Sequence, residues 1–160
     1  MPCAQLREKL KSVIGELSIR FGTPSFVPHV TLCSGIWKRD ERELFETVEP
    51  LAAKLPVELF VDGMDWANSW STFFFLKLWR AQNLFKEASG MIEGAQAPAI
   101  GPHLSLMYRF KPLGIEREAL SKELADCLPS MIRFDQLALV RPAVGCWDDI
   151  ASWEIVRCFR

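Results

Sequence analysis

Pro28-His29-Val30-Thr31-Leu32 and Pro102-His103-Leu104-Ser105-Leu106 are one phrase written twice, and between them they hold both histidines of the chain. For a chain of this composition, a histidine gains a preceding proline, a hydroxyl two places on and a flanking leucine by accident about once in a thousand. Chance does not supply two. Each phrase is apolar enough to be a strand, and successive side chains on a strand face opposite ways. His29 and Thr31 therefore share one face, as do His103 and Ser105. Val30, Leu32, Leu104 and Leu106 point to the other side, into a core.

The elements around each phrase repeat in the same order. Leu6, Leu10, Val13, Ile14, Leu17 and Phe21 fall at helical spacing, and Gly22 with Pro24 closes that helix. Phe26 to Cys33 reads as a strand, Asp40 to Leu55 as a helix stopped by Pro56, and Val57 to Val61 and Thr72 to Trp79 as strands. The order then restarts. Asn83 to Ile92 is a helix, Ile100 to Phe110 a strand, Ile115 to Cys127 a helix, and Ile132 to Arg141 and Ser152 to Phe159 strands. A repeat at about half the chain length marks a duplicated unit. Residues 1–160 are expected to form a single domain, with internal halves of roughly 5–79 and 80–160. Only Met1 to Ala4 precede the first helix, whereas Thr72 to Trp79 precedes the second half.

Composition narrows the function. At 160 residues, 49% hydrophobic and 24% charged, the chain is globular. A net charge of −1 gives no field that would draw it onto a long polyanion. A small ligand with a few phosphates needs only a local set of donors. Five cysteines without a CxxC pair exclude a complete disulfide framework and point to reduced thiols in a cytoplasmic protein. No signal peptide is apparent, and the most apolar run, Phe73 to Leu78, is too short for a bilayer.

Paired imidazoles suit in-line phosphoryl transfer. A histidine's ordinary pKa of about 6.5 lies near working pH. A neutral ring can take the proton of an attacking water while a protonated one gives a proton to the leaving oxygen. Thr31 and Ser105 can donate to the non-bridging oxygens, where charge must be held. No acidic residue stands in a ligand pattern with either histidine, so the site needs no metal and no cofactor.

The two H-x-[ST] motifs, one per half, resemble the 2H phosphoesterase superfamily. The phrases Phe21-Gly22-Thr23-Pro24-Ser25-Phe26-Val27-Pro28-His29-Val30-Thr31-Leu32 and Pro102-His103-Leu104-Ser105-Leu106-Met107-Tyr108 look like its cyclic phosphodiesterase branch, and the likeness runs over nearly the whole chain. It departs at the short N-terminus, where members of the family usually begin with a strand. The resemblance implies a duplicated, bilobal α+β fold, with two antiparallel sheets around a central cleft and helices outside. It implies hydrolysis of ADP-ribose 1″,2″-cyclic phosphate, a by-product of tRNA splicing, and of nucleoside 2′,3′-cyclic phosphates to 2′-phosphates. His29, Thr31, His103 and Ser105 are then catalytic. Tyr108 corresponds to a tyrosine that reaches the phosphate, although strict alternation places it opposite His103 unless the strand end twists or bulges.

Phe73, Phe75, Trp147 and Trp37 are candidates for stacking on a base, with Phe73 and Trp147 placed in the substrate site beside Tyr108. Arg80, Arg109 and Arg141, near strand ends, are candidates for a distal phosphate. The run Arg39-Asp40-Glu41-Arg42-Glu43 reads as a solvated helix start. Expected partners are a small cyclic-phosphate nucleotide, with no long nucleic acid and no membrane, on a monomer. Competing functions are a 2′,5′-oligonucleotide phosphodiesterase, an RNA-end-processing enzyme of the same superfamily, and a non-catalytic nucleotide-binding module.

Overall fold

The computed structural model describes residues 1–69, 72–108, 116–142 and 150–160. Helix α1 (Ala4–Phe21) buries Leu10, Val13, Ile14 and Leu17, a stripe at intervals of three and four. Gly22 ends it in the left-handed region, at φ 63°, and returns its N–H to the Ser18 carbonyl. Helix α2 (Glu41–Ala52) starts where the Asp40 carboxylate accepts from the Arg42 N–H at 2.7 Å. Helices α3 (Gln82–Met91) and α4 (Arg117–Ala125) are short, and bury Leu84, Phe85 and Ala88, and Leu120 and Leu124, respectively.

The strands are β1 (Val57–Trp66), β2 (Phe74–Trp79), β3 (His103–Met107), β4 (Met131–Phe134), β5 (Leu137–Pro142) and β6 (Trp153–Phe159). All pairings among them are antiparallel. One sheet has the order β3-β2-β1-β4, and β5 pairs with β6 in a second. The larger sheet thus takes β1 and β2 from the first half of the chain and β3 and β4 from the second. α1 packs on β3, and α2 packs on α3. The protein is α+β with antiparallel sheets. Among the described residues, no helix is long and apolar enough to cross a membrane.

Strand β2 explains why one sheet organises the rest. Phe74, Phe75 and Leu76 are buried in succession, not alternately. A strand with both neighbours paired and both faces covered has no solvent side. Leu76 pairs with Met64 on one side and Leu104 on the other. The largest apolar cluster gathers there, with Leu10, Leu59, Phe74, Leu76, Leu104 and Ile132.

Three segments differ from the sequence expectation. Phe26 to Cys33 is not a regular strand, for it holds a single bridge at Val30 and the next falls at Ser34. β1 runs on through Asp62-Gly63, where the ladder with β2 slips between Val61 and Met64 and Gly63 takes φ 108°. That left-handed glycine makes a bulge where a loop was expected. The expected strand from Ile132 to Arg141 breaks at Asp135-Gln136 into β4 and β5, which join different sheets. Residues before α1 are not idle, because Pro2 bridges Phe134 and Cys3 N–H bonds Arg133 O at 2.9 Å.

Replacing Leu76 with Ala deletes a fully buried side chain at the centre of the sheet. It should cost about 2–5 kcal/mol. Urea unfolding should show a lower midpoint with an unchanged slope.

Candidate active site

The two histidine phrases meet side by side. Val30 pairs with Leu104 in an antiparallel bridge. These residues hold the same place in the two phrases, each one position after its histidine. An antiparallel pair has a local twofold axis between its two strands. One residue either way in this register, His29 stands across from Ser105, and Thr31 across from His103. Two imidazoles and two hydroxyl side chains therefore occupy one face as a diagonal set. On such a face the diagonal Cβ separation is roughly 7–8 Å.

Both rings are held by the same device. His29 Nδ1 lies 2.7 Å from the Val27 carbonyl, and His103 Nδ1 lies 2.9 Å from the Gly101 carbonyl. Each contact reaches back two residues. A carbonyl only accepts, so Nδ1 carries the proton in both rings. Nε2 is then the basic nitrogen of the neutral form, directed away from the backbone. Aromatic side chains support each ring from a strand of the other half of the chain. His103 meets Phe75 of β2 at 5.6 Å between centroids, and His29 meets Trp153 of β6 at 5.7 Å. Phe26 makes edge contacts with both His29 and Tyr108.

Tyr108 reaches this face through an irregularity. Phe75 pairs with Ser105 and the adjacent Phe74 with Met107, so Leu106 is an extra residue in β3. A bulge of one residue reverses the alternation beyond it. Met107 turns into the core beside Leu104 and Leu106, and Tyr108 comes to the side of His103 and Ser105. The Ser105 side chain hydrogen-bonds the phenol, and burial pushes the phenol up to about 12. Tyr108 stays protonated at any working pH.

A cleft of about 1310 Å³ opens over these groups, lined by His29, Thr31, His103 and Tyr108 among others. Ser105, expected to face the substrate, is only 4% exposed and lies behind Tyr108, outside the lining. Phe73 and Phe75 do not line the cleft either. Phe73, the residue before β2, is buried in the main core with its ring against Trp66. Trp147, Arg109 and Cys146 lie outside the described residues. Arg80 sits over the Phe60 ring, and Arg141 is held by Glu41 and Glu154, so neither contributes to the cleft. Trp37 does line it.

The sequence reading missed several cleft residues. Phe26 and Trp153 buttress the histidines, and Lys38 and Arg39 line one rim. Nothing in the pattern marks Trp153, since its contact is set by how β6 docks. Cys33 also lines the cleft, and burial raises its thiol pKa, which disfavours a reactive thiolate.

Burial is the main cause that lowers both histidine pKa values below 6.5, and for His29 the chain's amino terminus and then the neighbouring His103 add to the effect. The carbonyl bonds to Nδ1 act the other way but are outweighed. The neutral form is thus favoured in the folded chain. The unfolded chain takes up these protons first as pH falls, so stability should decline below pH 6.5. NMR titration should place both rings below 6.5, with the proton of the neutral form on Nδ1. A value above 6.5 for either ring contradicts this description. No protein-family model matches the chain and the search of curated proteins found no match, so what the site can do rests on its residues and their geometry.

Proposed function

We propose that the chain is a metal-independent cyclic phosphodiesterase of the 2H type, acting on ADP-ribose 1″,2″-cyclic phosphate and nucleoside 2′,3′-cyclic phosphates. The observation that carries this reading is the Val30–Leu104 pairing, which brings two identically tethered imidazoles to one cleft wall. The shared register, the matching Nδ1 bonds and the reciprocal aromatic supports also favour a duplicated, bilobal fold related by a pseudo-twofold axis. The reduced cysteines favour a cytoplasmic setting, and the weak net charge favours a small substrate over a long RNA.

The chemistry follows from the tautomers. One neutral ring accepts a proton from water through Nε2 as the water oxygen attacks phosphorus. The P–O3′ bond breaks in line, and the other ring, protonated, gives its Nε2 proton to O3′. The product is a nucleoside 2′-phosphate, and a proton has passed from one side of the site to the other. Thr31 and the Tyr108 phenol, with Ser105 behind it, donate to the non-bridging oxygens. The low pKa values favour the base, and an anionic phosphate between the rings would raise the acid toward its working range.

Incubation with 2′,3′-cyclic AMP in excess EDTA should give 2′-AMP on chromatography. His29→Ala and His103→Ala should each lower kcat/KM by about 10²–10⁴ or more. More than a tenth of the activity left in either variant would sink the mechanism. The dependence of kcat/KM on pH should be a bell with its maximum below pH 6.5, because both free-enzyme pKa values lie there. A Tyr108→Phe variant, which keeps the ring against Phe26 but loses the donor, should lose rate chiefly in kcat.

A further inference from the structure

The cleft extends well past the histidines. Its volume of about 1310 Å³ exceeds the roughly 300–1,000 Å³ of ordinary small-molecule sites. On its rim, in the link between the His29 segment and α2, stand Trp37, Lys38 and Arg39. We propose that Lys38 and Arg39 form a second phosphate subsite, so that the substrate carries another phosphate group beyond the cyclic one. This rests on the functional reading above and specifies the substrate class that the same cleft prefers.

Three observations carry it. First, the loop is fixed at both ends. Ser34 and Gln96 exchange backbone hydrogen bonds of 3.0 and 2.9 Å, and Gly35 approaches so closely that an added Cβ would lie 3.0 Å from Ala95 Cα. At the other end the Trp37 indole N–H donates to the Asp40 carbonyl at 2.8 Å. Second, the indole holds Arg39, whose guanidinium lies 5.8 Å from the ring centroid. Third, three of the acids nearby have other donors. Asp40 caps α2 through Arg42 N–H, Glu41 meets Arg141, and Glu46 meets Arg42. Among the described residues no ion pair engages Lys38 or Arg39. Exposed Glu93 also lines the cleft, and Lys38, Arg39 and Glu93 together carry one net positive charge.

Two cations at the mouth of the cleft, one of them held over the Trp37 indole, suit a ligand with phosphates at both ends. A point-charge lysine and a planar arginine fork together accept a phosphate at several of its oxygens. A bare nucleoside cyclic monophosphate would leave this rim unused.

The test is calorimetric binding of adenosine 2′-phosphate and adenosine 2′,5′-bisphosphate to the whole chain. The bisphosphate should bind at least tenfold more tightly at low salt, and the advantage should shrink as salt rises. In a Lys38→Ala/Arg39→Ala double variant the ratio should fall to within twofold, while the charge-conserving Lys38→Arg/Arg39→Lys exchange should keep most of it. Equal affinities in the native chain, or an unchanged ratio in the double alanine variant, would overturn the subsite. If cyclic AMP is still hydrolysed in that case, only the subsite falls. If neither nucleotide binds and cyclic AMP is not turned over, the functional reading falls with it.

Discussion

The pairing of Val30 with Leu104 is the contact on which the site depends. Everything placed on the face of the two histidines follows from its register. A slip of one residue would turn one histidine and its hydroxyl partner into the core and leave the other pair alone. The register is held from below. Leu104 is fully buried, pairs with Leu76 on its far side, and belongs to the largest apolar cluster. Val30 packs against that cluster too. The hydrophobic effect therefore fixes the alignment of two polar groups that contribute little to it themselves.

Burial that aligns the rings also tunes them. A histidine open to water would titrate near 6.5 and wander among rotamers. Here each ring is half-buried, supported by an aromatic neighbour and tied through Nδ1 to a carbonyl two residues back. The carbonyl bond fixes which nitrogen faces the cleft, at the expense of a desolvated environment that disfavours the charged form. The two effects on pKa oppose one another, and desolvation is the larger. A site built this way rests with its imidazoles neutral. An anion placed between the rings would raise their pKa values again.

Much of this was legible in the sequence, and what was not has a common cause. The repeated phrases and the period of the elements gave the helices within a few residues, because a 3.6-residue stripe and a closing glycine are local signals. Parity placed His29 with Thr31 and His103 with Ser105. Parity failed at Tyr108, since the extra residue at Leu106 is visible only in the pairing with β2. The stacking assignment failed for Phe73, because an aromatic residue type does not say whether it meets a ligand or, as here, packs into the core against Trp66. Ile132 to Arg141 reads as one apolar run, yet its two ends join different sheets. Arg39 reads as part of a solvated helix start, and its place with Lys38 on the cleft rim is set by how the link from Ser34 to α2 lies. Each of these depends on which strands and side chains meet, which no window of sequence contains.

The wiring of the halves links folding to the site. His103, from the second half, rests on Phe75 of β2 from the first. His29, from the first half, rests on Trp153 of β6 from the second. The four-stranded sheet itself mixes strands of both. Neither half can present a supported imidazole alone, because the ring that steadies it arrives with the other. Contacts of such long sequence separation are costly in chain entropy and form late or together. A partly folded chain would then hold neither the twofold alignment nor the tethered rings, and the cleft would appear only with the complete sheet. Placing the reactive groups at the seam between halves makes the site report on the integrity of the whole fold. A substitution deep in β2 can reach the site by loosening the seam and touching no reactive atom.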